Sequence, residues 1–260
     1  MKKVYFLFAL FIAVGLTNVQ AQLLQWNTFG NLGTETIQPS VANNVNISAA
    51  NLTLGSVTAA ANGNRFGGSN WFDLGDTNPT TLAESVTGND YIQFIVTPNP
   101  GFSFTPTTFV FTWDRSGTGP SSVTLRSSAD AFASDLGTVT GMVSGGAALT
   151  TPRTITITTL TNITAATTFR LYGYGATATT GTGGFDIGTN VVNVQLNGST
   201  APTAGVSIIA GAVTAPPFCV DATNTASGSI AFTSTGTFAG QTITAKLSDA
   251  TGSFASAGNR

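Results

Sequence analysis

The chain has 260 residues, with 9 basic and 11 acidic side chains, one Cys and no His. Without His there are no His triads, His general bases or His metal ligands, and one Cys excludes thiolate metal clusters. Charged residues make up 8% of the chain, against roughly 25% in an average globular protein, and no basic stripe is left to contact phosphates, which argues against nucleic acid as a partner.

Lys2 and Lys3 open the chain and precede an uncharged apolar run over 4–16. Val19 and Ala21 then supply the small residues of a signal-peptidase site, so residues 1–21 read as a cleaved signal peptide. The run is shorter than the ~20 apolar residues a spanning helix needs, and no later segment is apolar enough to cross a membrane. Loss of the two lysines leaves 7 basic residues of the original 9 against 11 acidic, a net charge of −4, with Lys246 as the sole lysine. The expected location is extracellular or on the outer cell surface.

Beyond Ala21 no stretch keeps a helical apolar repeat over three turns. Short runs of alternating β-branched and aromatic residues follow instead, bounded by Gly, Pro, Asn and Ser, which is the strand signature. The clearest are 23–29, 52–58, 91–97, 108–114, 122–126, 154–158, 167–174 and 191–196. They predict an all-β fold, a two-sheet antiparallel β-sandwich of jelly-roll type, over residues 22–198. Successive side chains in a strand point to opposite faces. One face therefore takes Ile92, Phe94 and Val96; Phe109, Phe111 and Trp113; Val123 and Leu125; Ile155 and Ile157; Phe169 and Leu171; and Val192, Val194 and Leu196. These form the expected core. The other face takes Tyr91 and Gln93, Asp114, Arg126, Arg170 with Tyr172 and Tyr174, and Asn193 with Gln195.

A linker is expected over 199–205, where Ser, Thr, Ala and Pro break the pattern. Strand patterns resume at 206–209, 229–233 and 241–248. Residues 206–260 are too few for an immunoglobulin-type sandwich, which takes ~100, so an incomplete second domain of a longer protein is expected. The lone Cys219 has no partner in the chain and reads as a buried small hydrophobe.

Four segments together carry a resemblance: 115–120 (Arg-Ser-Gly-Thr-Gly-Pro), 126–132 (Arg-Ser-Ser-Ala-Asp-Ala-Phe), 169–174 (Phe-Arg-Leu-Tyr-Gly-Tyr) and 183–187 (Gly-Gly-Phe-Asp-Ile). The chain resembles a jelly-roll-like module of exported Bacteroidota proteins of the type IX secretion cargo kind. Residues 217–220 and 241–254 are similar to an immunoglobulin-like module of the same proteins. The resemblance implies export and further domains. It implies no activity, and fold analogy alone supplies none.

Candidate chemistry is sparse. Asp73, Asp76 and Asn78 place three oxygen ligands in one short loop, which makes calcium a candidate, although Asp, Asn and Gly are also ordinary turn residues. Asp90 and Asp186 are weaker candidates for a second site. No carboxylate pair stands in a context that marks a glycosidase, and no other cofactor is expected. Gly117–Gly119 and Gly183–Gly184 lack the ending of a phosphate loop and read as turns.

Arg126, Arg170, Tyr172 and Tyr174 form the candidate ligand face. Tyrosine rings stack on sugars and arginine forks bind acidic groups. The alternative is structural, with Arg126 and Arg170 paired to Asp114 or Asp130. Trp26 and Trp71 are further candidates for exposed stacking residues. Four Asn-x-Ser/Thr sequons, at Asn46, Asn51, Asn162 and Asn197, follow from an Asn- and Thr-rich composition. The functional expectation is a secreted or cell-surface non-catalytic binding or adhesion module for polysaccharide or surface glycan. The alternative is an accessory or spacer domain of an extracellular hydrolase whose catalytic domain lies elsewhere.

Overall fold

The structure, a computed structural model, describes residues 21–72, 78–145, 149–203, 207–213 and 230–235. The chain divides into two compact units, residues 1–203 and 204–260. In the first unit the strands run in chain order as β1 (Ala21–Trp26), β2 (Ile37–Pro39), β3 (Ala42–Asn43), β4 (Asn51–Leu54), β5 (Thr58–Ala59) and β6 (Arg65–Ser69). A helix, α1 (Leu82–Gly88), precedes β7 (Tyr91–Val96), β8 (Phe102–Phe111), β9 (Trp113–Arg115) and β10 (Ser122–Ser127). Then come β11 (Gly137–Val139), β12 (Arg153–Thr156), β13 (Thr167–Tyr174), β14 (Gly183–Asp186) and β15 (Val194–Pro202). The second unit contributes a hairpin-like pair, β16 (Ser207–Val213) and β17 (Ile230–Thr235), which register antiparallel from Ser207↔Thr235. The pattern expected at 241–248, and Cys219, lie outside the described residues.

The first unit is an all-β sandwich. One sheet has the order β12-β8-β15-β1-β3 and the other β11-β10-β13-β7-β4-β2. All their pairings are antiparallel. From β7 onward the long strands alternate between the sheets, and the first strand lies beside the last, as in a jelly roll. The inner faces meet through aromatic rings. Phe94 of β7 stacks on Phe109 of β8 at 5.3 Å, and Trp26 of β1 packs against Phe94 at 5.1 Å. Each is the buried half of an alternating strand, and the expected core residues are buried apart from Val192. Val192 is exposed because β15 begins only at Val194.

Three of the differences from the sequence expectation shape the unit most. The first is β15, which runs on through Pro202, so the segment read as the start of a linker is a strand. A bulge between Asn197 and Gly198 restores the register, and Ser199 to Pro202 then pair with Thr105 to Phe102 of β8. A Cβ on Gly198 would lie 2.2 Å from the Thr105 carbonyl oxygen, so only glycine fits this approach.

The second difference is a small third sheet, β5-β6-β14-β9. Its strand β14 begins with Gly183–Gly184, which read as a turn. In it Arg65 faces Asp186, Phe66 faces Phe185, Gly67 faces Gly184 and Gly68 faces Gly183. Opposite charges, two rings and two glycine pairs thus stand in register.

The third is α1. Thr81 caps it: the Glu84 amide donates to the Thr81 hydroxyl at 3.3 Å, and the Thr81 amide donates to the Glu84 carboxylate at 2.6 Å. Asn89 closes it in the left-handed conformation. Ser85 is buried and donates to the carbonyls of Asp90 and Gly173, which ties α1 to β13.

Candidate binding face

The outer face of the six-stranded sheet is built from three neighbouring strands, β10, β13 and β7. Cross-strand register places Arg126, Arg170 and Gln93 in one row and Thr124, Tyr172 and Tyr91 in the next. Ser122 stands opposite Tyr174. The four candidate residues therefore do share one face, as the period of two requires.

Two arginines directly opposite each other repel unless each finds compensation. Arg126 has a carboxylate: its Nε lies 2.6 Å from Asp135 Oδ1, and its Nη1 donates to the Phe132 carbonyl at 3.1 Å. Arg170 does not. Its Nε donates to Gln93 Oε1 at 3.2 Å and its Nη1 to the Tyr172 hydroxyl at 3.4 Å. Its guanidinium lies between two rings, with the carbon 4.3 Å from the Tyr91 centroid and 4.1 Å from that of Phe132. Both distances are within the range of cation–π attraction. Among the described residues no carboxylate pairs with Arg170.

The second ring is held by a strained turn. Ala131 and Phe132 both adopt positive φ, 58° and 62°, where side chains crowd the following carbonyl. Around them the Phe132 amide donates to Ser127 and the Ser134 amide to the Asp130 carboxylate, and Ser128 Oγ accepts from Thr168 on β13. The Ser134 hydroxyl, with the amide as a smaller contributor, holds the Asp130 carboxyl below its ordinary value. Asp130 thus shapes the turn, and Asp114 belongs to another cluster. The alternative partners expected for the two arginines are replaced by Asp135 for Arg126 and by neutral groups for Arg170.

The tyrosines play unequal parts. Tyr172 is 1% exposed and meets Tyr91 edge to face at 5.4 Å, so its ring is unavailable for stacking and its hydroxyl positions Arg170. Tyr174 is half-buried, and its hydroxyl sits 3.5 Å from Thr124 Oγ1. Phe132, Tyr91 and Gln93 complete the environment of Arg170. Tyr91 and Gln93 were legible as residues of this face, whereas Phe132 reaches it through a turn that no period reveals.

Other candidates take structural places. Trp26 and Trp71 are fully buried, and their indole N–H groups donate to the Ala50 and Gly68 carbonyls at 3.1 and 2.7 Å. They are core residues, not stacking platforms. Asp73 and Asp76 lie outside the described residues, and Asn78 is exposed. Asp90 is buried. Among the described residues no three His, Cys, Asp or Glu side chains gather closely enough to hold a metal.

Asp186 joins a buried ion cluster in the third sheet. Arg65, 2% exposed, reaches Asp114 at 2.6 Å, Asp186 at 3.0 Å and the Thr182 hydroxyl at 3.1 Å. Burial pushes the Asp186 carboxyl above its ordinary value against the pull of Arg65. Arg115, the third prominent arginine, donates to the carbonyls of Met142, Gly117 and Gly119 and so pins two loops.

Fold and face together define an all-β, antiparallel sandwich in which, among the described residues, Arg170 of the six-stranded sheet has no carboxylate partner. Compared with protein-family models, with curated proteins and with solved structures, the chain matches none. No helix among the described residues is long and apolar enough to cross a membrane.

Proposed function

We propose that this chain is an extracellular, non-catalytic binding module whose first unit engages carbohydrate at the Arg170 face. The observation that carries this reading is the guanidinium of Arg170. It is stacked between Tyr91 and Phe132 and leaves the two N–H groups of Nη2 without a hydrogen-bond partner among the described residues. A stacked, half-buried arginine with free donors is a recognition group more readily than a structural one. The signal-peptide pattern and the resemblance to exported Bacteroidota modules support the location. The absence of His, and the engagement of Asp114 and Asp186 with one arginine, support a non-catalytic role.

The test is retention of the full chain on a panel of insoluble and immobilised polysaccharides, with Arg170→Gln as control. Retention on at least one glycan, lost in the variant at an unchanged melting temperature, is expected. Failure of the folded protein to bind any glycan would overturn this reading. The protein would then be an accessory or spacer domain, a role already favoured by the burial of Tyr172 and the covering of β13 by α1.

A further inference from the structure

We infer that the ligand of the Arg170 site is an acidic polysaccharide, held through the carboxylate of a uronic acid residue. This rests on the carbohydrate reading above and narrows it. The charge at the site comes first. Arg126 and Arg170 stand directly opposite each other, and Asp135 compensates only Arg126. The other acidic group in the covering turn, Asp130, accepts from the Ser134 amide. Arg170 is thus left without a carboxylate partner among the described residues, in a chain that is acidic overall.

Hydrogen-bonding capacity comes second. Guanidinium only donates, and the neighbouring acceptors, Gln93 Oε1 and the Tyr172 hydroxyl, already receive from Arg170. The free edge at Nη2 therefore offers donors in excess. It suits an acceptor-only group better than a sugar hydroxyl, which must also donate.

Shape comes third. The guanidinium is stacked on Tyr91 and Phe132 at 4.3 and 4.1 Å, so a partner must approach it along its plane. A planar carboxylate continues that plane and can accept from Nη2 and the remaining N–H of Nη1, whereas a tetrahedral sulfate ester brings only part of its oxygens into it. Phe132, which is half-buried where Tyr91 is buried, offers an apolar edge to the sugar that bears the carboxylate. The strain at Ala131 and Phe132 fits this role, because strained backbone clusters at ligand clamps.

The test is affinity electrophoresis of the full chain in polygalacturonate, in its fully methyl-esterified form, in neutral galactan, in dextran sulfate and in poly-glutamate. The expected result is retardation by polygalacturonate, weakened about tenfold or more by esterification. Arg170→Lys, which keeps the charge and loses the fork, should weaken retardation comparably, and Phe132→Leu should weaken it at an unchanged melting temperature. Equal retardation by the esterified polymer or by galactan would overturn the uronate assignment and leave the carbohydrate reading intact. Equal retardation by dextran sulfate or poly-glutamate, or full affinity in Arg170→Lys, would also overturn it, since the site would then read charge alone. No retardation by any glycan in this panel, combined with no retention on any other polysaccharide, would remove both readings.

Discussion

Arg65 shows how much a single residue can hold in this fold. Its guanidinium serves two carboxylates in a nearly closed site, and removal would strand both. Arg65→Met should destabilise the first unit by about 3–5 kcal/mol in denaturant unfolding at neutral pH. The loss should shrink on acidification, as the stranded carboxylates take up protons. Asp186 has its own pH signature. Burial raises its pKa above the ordinary carboxylate value, so its native form binds the proton more tightly than the unfolded chain does. Its contribution to stability is present below the unfolded pKa and lost as pH rises through the folded one. Asp186→Asn should flatten that decline, seen as the slope of unfolding free energy against pH from about pH 4 upward. A slope equal to that of the native protein would count against this account. Ala131 gives a third test. At φ 58° a Cβ is costly, so Ala131→Gly should raise the melting temperature, with a relief of about 1 kcal/mol offset in part by glycine's chain entropy. The common face of Arg126 and Arg170 was legible in the sequence because side chains alternate. Their partners were not, because Asp135, Gln93 and Phe132 are set by cross-strand register and by a turn, neither of which has a period.

Among the elements, legibility follows how much side chain each carries. The bounds of β13 can be read from its alternation alone, since Phe169 and Leu171 face in while Arg170 and Tyr172 face out. By contrast β6 and β14 each contain two adjacent glycines, which silence the alternation. Their relation emerges only when Arg65-Phe66-Gly67-Gly68 is laid antiparallel to Gly183-Gly184-Phe185-Asp186. The glycines are needed for close approach: a Cβ on Gly184 would lie 2.5 Å from the Phe66 carbonyl oxygen. Gly184→Ala should therefore cost about 1–3 kcal/mol, the usual range for overpacking, read as a lower denaturant midpoint. α1 escapes detection for another reason. Seven residues cannot show an apolar repeat over three turns, and only the Thr81–Glu84 capping box marks its start.

At the scale of the whole molecule, the extension of β15 moves the edge of the first unit. Ser199 to Pro202 are rungs of the β8 ladder, and the unit runs to Thr203. A chain of residues 22–203 should melt in one cooperative transition, whereas one ending at Asn197 should melt at a lower temperature because the first half of β8 loses its partner. Equal melting temperatures would show that those rungs contribute nothing. The same topology sets the response of this unit to load. Because β1 and β15 are antiparallel neighbours, with Ala21 opposite Gly198, the chain enters and leaves the sheet from one end of the pair. Tension applied between Gln22 and Thr203 therefore acts across the ladder and opens it one rung at a time, the compliant geometry for a sheet. Tension between Thr203 and a ligand anchored at Arg170 would be carried through β15 and the core into the other sheet, without first separating β1 from β15. A module tethered only through Thr203 and gripping its ligand at Arg170 would thus resist pulling better than one strung between two tethers.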